Sequence, residues 1–167
     1  LRRQRQMCIR DRTDRFAWTD DSKTPCSDLH FYCGGTYKGI VKHLDYIQEL
    51  GFDALWISPV IKNTPNGYHG YWAEDLYALN ENFGTEQDFK DFISECHKRD
   101  IWIMVDVVAN HVGPVGTDYR TIKQFGSPND YHTYCDINQE DFTGNQWRVE
   151  NCRLAQLPDL NTESEYV

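Results

Sequence analysis

The chain has 167 residues, 40% of them apolar and 14% aromatic, and a formal net charge of −9. That length suits about one domain, and the apolar fraction is too high for a disordered chain. The acidic balance argues against a nucleic-acid partner, which would need a basic face, and no apolar run approaches the roughly 20 residues of a membrane span.

Residues 1–12, LRRQRQMCIRDR, stand apart from the rest of the chain, because residues 1–15 hold six Arg against two Asp and the remainder is correspondingly more acidic. They do not form a signal peptide, since they show neither an initiating Met nor an apolar stretch after the basic one. A basic tether is one reading; a non-native scar is the preferred one, and the segment is left out of the fold argument. In residues 38–50 the apolar side chains of Ile40, Val41, Leu44, Ile47 and Leu50 make one helical stripe. Gly51 then suits the left-handed position that ends a helix. Residues 52–60 read as a strand broken by Pro59. A second helix is expected over 85–100, with Thr85 as N-cap, Asp88 three positions on, and Phe89, Phe92, Ile93 and Cys96 on its stripe. Residues 101–111, IWIMVDVVANH, come next almost without a loop. Their apolar run is continuous, which predicts a strand buried on both faces, as in a parallel sheet covered by helices.

The alternation is that of a βα-repeat protein. Long polar, aromatic-rich loops (61–84 and 112–158) come after the strands, where α/β proteins place their sites. Segment 112–158 is too long for a bare loop. It is expected to fold as a small insertion with turns at Gly113-Pro114, Ser127-Pro128 and Gly144-Asn145.

Six cysteines include no CxxC pair, so a zinc cluster is not expected. Cys26 and Cys33 flank one short stretch, and Cys135 and Cys152 bracket the second half of the insertion. Two disulfides in an oxidising compartment are the better reading, although spacing does not fix the connectivity. Cys96 falls on the buried helical stripe, where a thiol behaves as a small apolar residue.

Three clusters carry chemistry. Tyr68-His69-Gly70-Tyr71-Trp72 offers aromatic faces and an imidazole that could stack on a sugar and hydrogen-bond its hydroxyls; a packed loop is the plainer alternative. Asp106 through His111 places a carboxylate in an apolar strand, where it must be paired or hydrogen-bonded; for Asp106 a structural role is favoured. Asp159, within LPDL at 157–160, is by itself a weak signal.

Taken in order, TDRF at 13–16, CGGTYKGI at 33–40, GYHGYW at 67–72, DVVANH at 106–111 and LPDLN at 157–161 resemble the N-terminal part of an α-amylase. The family is the retaining α-glucosidase superfamily, glycoside hydrolase family 13, and the secreted fungal type is the nearest. The resemblance implies a (β/α)8 TIM barrel, of which residues 13–111 would supply about the first three units. Residues 112–158 would form the domain inserted after the third strand, and 159–167 the return to the barrel.

It further implies disulfides Cys26–Cys33 and Cys135–Cys152. Asn110, Glu150 and Asp159 would be calcium ligands, an oxygen set that suits hard Ca²⁺. His69, Tyr71, Trp72 and His111 would contact an α-glucan substrate. Secretion and a monomeric parent are implied too. Two departures stand out: His30 replaces a Gln that contacts substrate in the fungal pattern, and the arginine-rich 1–12 occupies the place of the first barrel strand. The family's nucleophile, acid/base and third carboxylate come after later strands, beyond Val167. No residue of the chain is therefore assigned as catalytic, and Asp106, Asp141, Asp159 and Glu163 are not promoted to that role. The expected activity of the parent is endo-hydrolysis of α-1,4-glucan with retention, the piece alone being inactive. The alternatives are an α-glucosidase, a glucan transferase or a non-catalytic carbohydrate-binding homologue.

Overall fold

The alternating apolar segments fold into a parallel sheet in the computed structural model, which describes residues 7–21 and 25–167. Strands β1 (Cys8–Asp11), β2 (Ala54–Ile57) and β5 (Trp102–Val105) lie in the order β1-β2-β5, all parallel. The register aligns Ile9 with Leu55 and Ile103, and Asp11 with Ile57 and Val105. Because side chains alternate along a strand, these two rows share one face. Three strands form an open sheet, so a closed barrel is not present among the described residues.

The chain divides into two compact units. The first comprises the described residues of Leu1–Val60 and Leu79–Val107, and the second Ile61–Ala78 and Val108–Val167. In the first, helices α1 (Thr13–Phe16), α2 (Tyr37–Lys42), α3 (Leu44–Glu49) and α4 (Glu86–His97) accompany the sheet. Leu55 and Ile57 pack with Tyr37, Ile40, Leu44, Ile47, Phe83, Phe92 and Cys96, all fully buried or nearly so. The N-terminus of α4 carries the expected capping box, in which the Thr85 hydroxyl accepts from the Asp88 amide (3.2 Å) and Asp88 accepts from the Thr85 amide (2.9 Å). Burial pushes the Cys96 thiol up to about 12, so it acts as an inert apolar group.

The TDRF and CGG motifs are tied to each other. The buried Asp14 carboxylate accepts from the Cys33 amide at 3.0 Å and the Gly34 amide at 3.2 Å, and Arg15 donates to the Leu29 and Phe31 carbonyls, both at 2.9 Å. Disulfide Cys26–Cys33 closes the same loop.

Four sequence expectations are corrected. Residues 1–12 do not all stand outside the fold: 8–11 form β1, while 1–6 lie outside the described residues. Among the described residues β1 lies at the edge of its sheet, which leaves its Arg10 in reach of water. Ile9 turns towards the core, whereas Arg10 turns to the exposed face, 4.5 Å over the Trp56 ring. The single helix over 38–50 is two, interrupted at His43 (φ −112°, ψ 11°), and Leu50 is 47% exposed rather than part of the stripe. Gly51 does adopt the left-handed conformation, at φ +88°.

Strand β5 ends at Val105 and is buried on one face only: Trp102 is 66% and Met104 48% exposed. Continuous hydrophobicity reports what a strand can be buried against, and no described element covers this face. Finally, 61–84 is not a bare loop. Strands β3 (Ile61–Asn63) and β4 (Ala73–Leu79) pair within it, and 61–78 groups with the second unit rather than the first.

The second unit centres on Val112, Tyr119, Ile122, Tyr131 and Leu160, with the Tyr119 and Tyr131 rings stacked at 4.0 Å. Ser127-Pro128 opens a short 3-10 turn, Asn145 caps helix α5 (Gln146–Asn151), and Cys135–Cys152 forms the second disulfide. The buried Arg153 guanidinium donates to the Gly116 carbonyl (2.8 Å) and the Tyr119 hydroxyl (2.7 Å). No helix among the described residues is long and apolar enough to cross a membrane.

Candidate functional site

The aromatic cluster after β3 is shaped by its backbone. Asn63, at the end of β3, turns its side chain back: Oδ1 accepts from the Trp72 amide at 2.7 Å and Nδ2 donates to the Ile61 carbonyl at 2.9 Å. Thr64 and Trp72 pair through Thr64 N–H to the Trp72 carbonyl, 2.8 Å. Gly67 packs so closely on Asn63 that a Cβ there would lie 2.7 Å from that of Asn63, which leaves room for glycine alone. The loop 64–72 is thereby folded into a tight turn that gathers its rings.

Within it, His69 is the hub. Its ring lies parallel to Tyr71 (centroids 5.6 Å, 15°), edge-on to Trp72 (4.8 Å, 89°) and edge-on to Tyr68 (5.1 Å). The Tyr71 amide donates to His69 Nδ1 at 3.0 Å. A ring that accepts at Nδ1 carries its proton on Nε2 when neutral. All four residues are half-buried.

His111 joins this cluster from the end of the segment after β5. Its Nε2 donates to the Tyr71 carbonyl at 3.2 Å. Burial lowers the His111 pKa, opposed by that bond and by the Asp159 charge, so the neutral ring is favoured. Behind His111, residues 110–112 and 158–160 run side by side. His111 bridges Asp159, the Leu160 amide donates to the Asn110 carbonyl (2.9 Å), and the Val112 amide to the Pro158 carbonyl (3.1 Å).

Asp159 is buried, and burial raises its pKa against the hydrogen bonds of His132 and Asn110. Oδ1 accepts from Asn110 Nδ2 at 3.0 Å and Oδ2 from His132 Nδ1 at 2.7 Å. Of the three expected calcium ligands, Asn110 and Asp159 are therefore adjacent and offer the oxygen chemistry a hard cation takes. The Glu150 side chain is exposed on α5, and its Oε1 accepts from Gln146 at 2.6 Å. Among the described residues, no three His, Cys, Asp or Glu side chains converge as metal ligands.

The remaining candidates have partners of their own. Asp106 is ion-paired with Arg10 at 3.5 Å. His30 is exposed and bonded to Asp28 at 2.9 Å. Asp141 caps a 3-10 turn through the Asn138 amide (2.7 Å) and meets Arg148 at 3.1 Å. Two residues that sequence reasoning passes over are central: Asn63, which shapes the turn, and His132, which holds Asp159. For Asn63 the one available signal was an amide at a strand end before a glycine-containing loop; for His132 it was an imidazole beside the aromatic Tyr131.

Comparison with known proteins gives a consistent result. The alpha amylase catalytic domain family matches residues 12–167. The chain is similar to an alpha-amylase of Saccharomycopsis fibuligera, at 43% identity over 93% of this chain and 34% of that protein. Among solved structures it is similar to an alpha-amylase from Malbranchea cinnamomea (TM-score 0.88, 44% identity, 95% of this chain and 36% of that one). It is also similar to an alpha-amylase from Geobacillus thermoleovorans complexed with acarbose (TM-score 0.81, 36% identity, 95% of this chain and 34% of that one). The chain thus spans about a third of the length of the relatives it matches.

Proposed function

Because the chain belongs to the alpha-amylase catalytic domain family as a fragment of it, we propose that it supplies one wall of the substrate site of a secreted, endo-acting α-1,4-glucan hydrolase. The observation that carries this reading is the gathering of His69, Tyr71, Trp72 and His111 into one hydrogen-bonded aromatic cluster. Tyr71 offers a ring face for the apolar face of a glucose unit, and stacking on His69 holds that face in place. His69 and His111 supply ring N–H groups and lone pairs for sugar hydroxyls, and Trp72 borders them.

Hydrolysis with retention needs two carboxyl groups about 5–5.5 Å apart, one nucleophile and one acid/base. Asp106, Asp141 and Asp159 are each engaged in ion pairs, caps or the His132 bond. By the resemblance, the carboxylates that break the bond belong to the part of the relatives that this chain does not span, and residues 1–167 alone are expected to show no hydrolytic activity.

Calcium is proposed for the whole protein, with Asn110 and Asp159 as this chain's donors. Bound there, the ion would tie segment 110–112 to segment 158–160, a structural task. Glu150 would have to leave Gln146 to join them, so Glu150→Gln is expected to change calcium affinity less than Asp159→Ala.

The test of the glucan reading is binding of maltoheptaose and hydrolysis of starch by the full-length protein, with anomeric configuration followed by NMR. Tyr71→Ala and His69→Ala are expected to weaken maltoheptaose binding, and initial product of the α configuration is expected. Unchanged binding in both variants would remove the assignment of the wall.

A further inference from the structure

Resting on the reading of His69, Tyr71, Trp72 and His111 as a sugar-facing wall, we infer that His132 is a positioning residue for that wall, acting through Asp159. The His132 side chain is 15% exposed and the Asp159 side chain 6%, and Nδ1 meets Oδ2 at 2.7 Å. The contact is doubled along the backbone, where the His132 amide donates to the Asp159 carbonyl at 3.1 Å and Tyr131 bridges Leu160. One side chain and one peptide thus clamp the same residue.

From Asp159 the linkage runs on without a gap. Asp159 bridges His111, its Oδ1 accepts from Asn110, and His111 Nε2 donates to the Tyr71 carbonyl. The Tyr71 amide in turn donates to His69 Nδ1. Segments 131–132, 158–160, 110–112 and 69–72 are therefore joined in series through a buried Asp159, with His132, His111, Tyr71 and His69 half-buried and Asn110 exposed. A buried carboxylate that loses one of two donors must find another or move. The segment bonded to Asp159 on its other side is Asn110-His111.

The other ring nitrogen supports a dedicated role. His132 Nε2 is buried with no hydrogen-bond partner among the described residues, so the ring is committed to Asp159 through Nδ1. Partners that orient a metal-ligating residue commonly matter about tenfold or more when removed, and an effect of that size is expected for a partner that orients the wall.

The test uses the full-length protein with His132→Leu, His132→Asn, His132→Gln and Tyr131→Phe. The last removes the neighbouring hydroxyl bond to the Phe125 carbonyl and controls for simple loss of stability. NMR signals of the His111 ring and the Tyr71 amide read the wall without sugar, and maltoheptaose titration reads binding. His132→Leu is expected to shift both signals and weaken binding about tenfold. His132→Asn, whose amide N–H falls where Nδ1 does, recovers most of the loss, and Tyr131→Phe lowers Tm without moving either signal.

Unmoved His111 and Tyr71 signals in His132→Leu overturn the proposal, as does an Asn variant no better than the Leu one. Should His132→Leu fail to fold, Asn against Gln carries the comparison, with equal signals in the two counting against the proposal. If the wild-type protein binds no maltoheptaose, the sugar reading fails, while the NMR signals still decide whether His132 positions the wall.

Discussion

The unit built on the parallel sheet and the unit that carries the aromatic cluster each have one disulfide and one buried Asp held by hydrogen bonds, but they differ in the size of their apolar centres. The first buries apolar side chains from β2 and three helices: Leu55 and Ile57 from β2, Ile40, Leu44 and Ile47 from α2 and α3, Phe92 and Cys96 from α4. The second has a smaller apolar centre, supplemented by the Tyr119 and Tyr131 stack, the Arg153 hydrogen bonds, a disulfide and the Asp159 network. Apolar burial is non-directional and tolerates approximate geometry. Hydrogen bonds between buried polar groups demand particular partners, so the second unit can hold a site in one arrangement at the cost of having few substitutes for each contact.

This contrast can be broken or sharpened by mutation. The largest effect is expected from Phe92→Ala, about 3–5 kcal/mol in chemical denaturation, with amide exchange accelerated in the sheet unit; equal acceleration in the second unit would show that the two unfold as one. Replacing Cys135 and Cys152 by Ser is expected to cost about 2–4 kcal/mol, with loss of protection centred on 130–160.

A smaller change of opposite sign is expected at Asp11. This residue is buried, its Oδ2 has no hydrogen-bond partner among the described residues, and burial pushes its carboxyl up to about 7. The folded state then holds a proton that the unfolded chain, near 3.8, releases. Stability should therefore fall as pH rises from about 4 to about 7, and Asp11→Leu should flatten that slope and add about 1–3 kcal/mol near neutral pH. Thermal melts across this range are the check. The smallest effect is that of Thr85→Ala, about 1 kcal/mol through loss of the α4 cap, again confined to exchange in the first unit.

The sheet unit was the more legible of the two, and the reason is local. Thr85 and Asp88 announce a cap within four residues, Gly51 a left-handed helix end, and the stripe of α4 a buried face. The misreadings there concern what lies opposite a residue. Trp102 and Met104 looked buried because their run is apolar, and β1 looked foreign because its neighbours are charged. Neither property says which face has a partner or which strand is an edge. In the second unit the aromatic run 68–72 was visible, and motif order carried the family, but the hydrogen-bond partners that shape the cluster were not. Asn63 acts nine residues from Trp72, and His132 acts 27 residues from Asp159.

By itself, then, the amino-acid sequence determined the βα rhythm, the helix caps, the family and the residue types gathered near His69, because each is encoded in near neighbours or in motif order. Only the tertiary structure decided that 8–11 is a strand, that 61–78 belongs with the second unit, that Glu150 turns to Gln146, and that His132 holds Asp159. Those outcomes depend on the register between segments far apart in the chain, where a shift of one residue exchanges one set of partners for another.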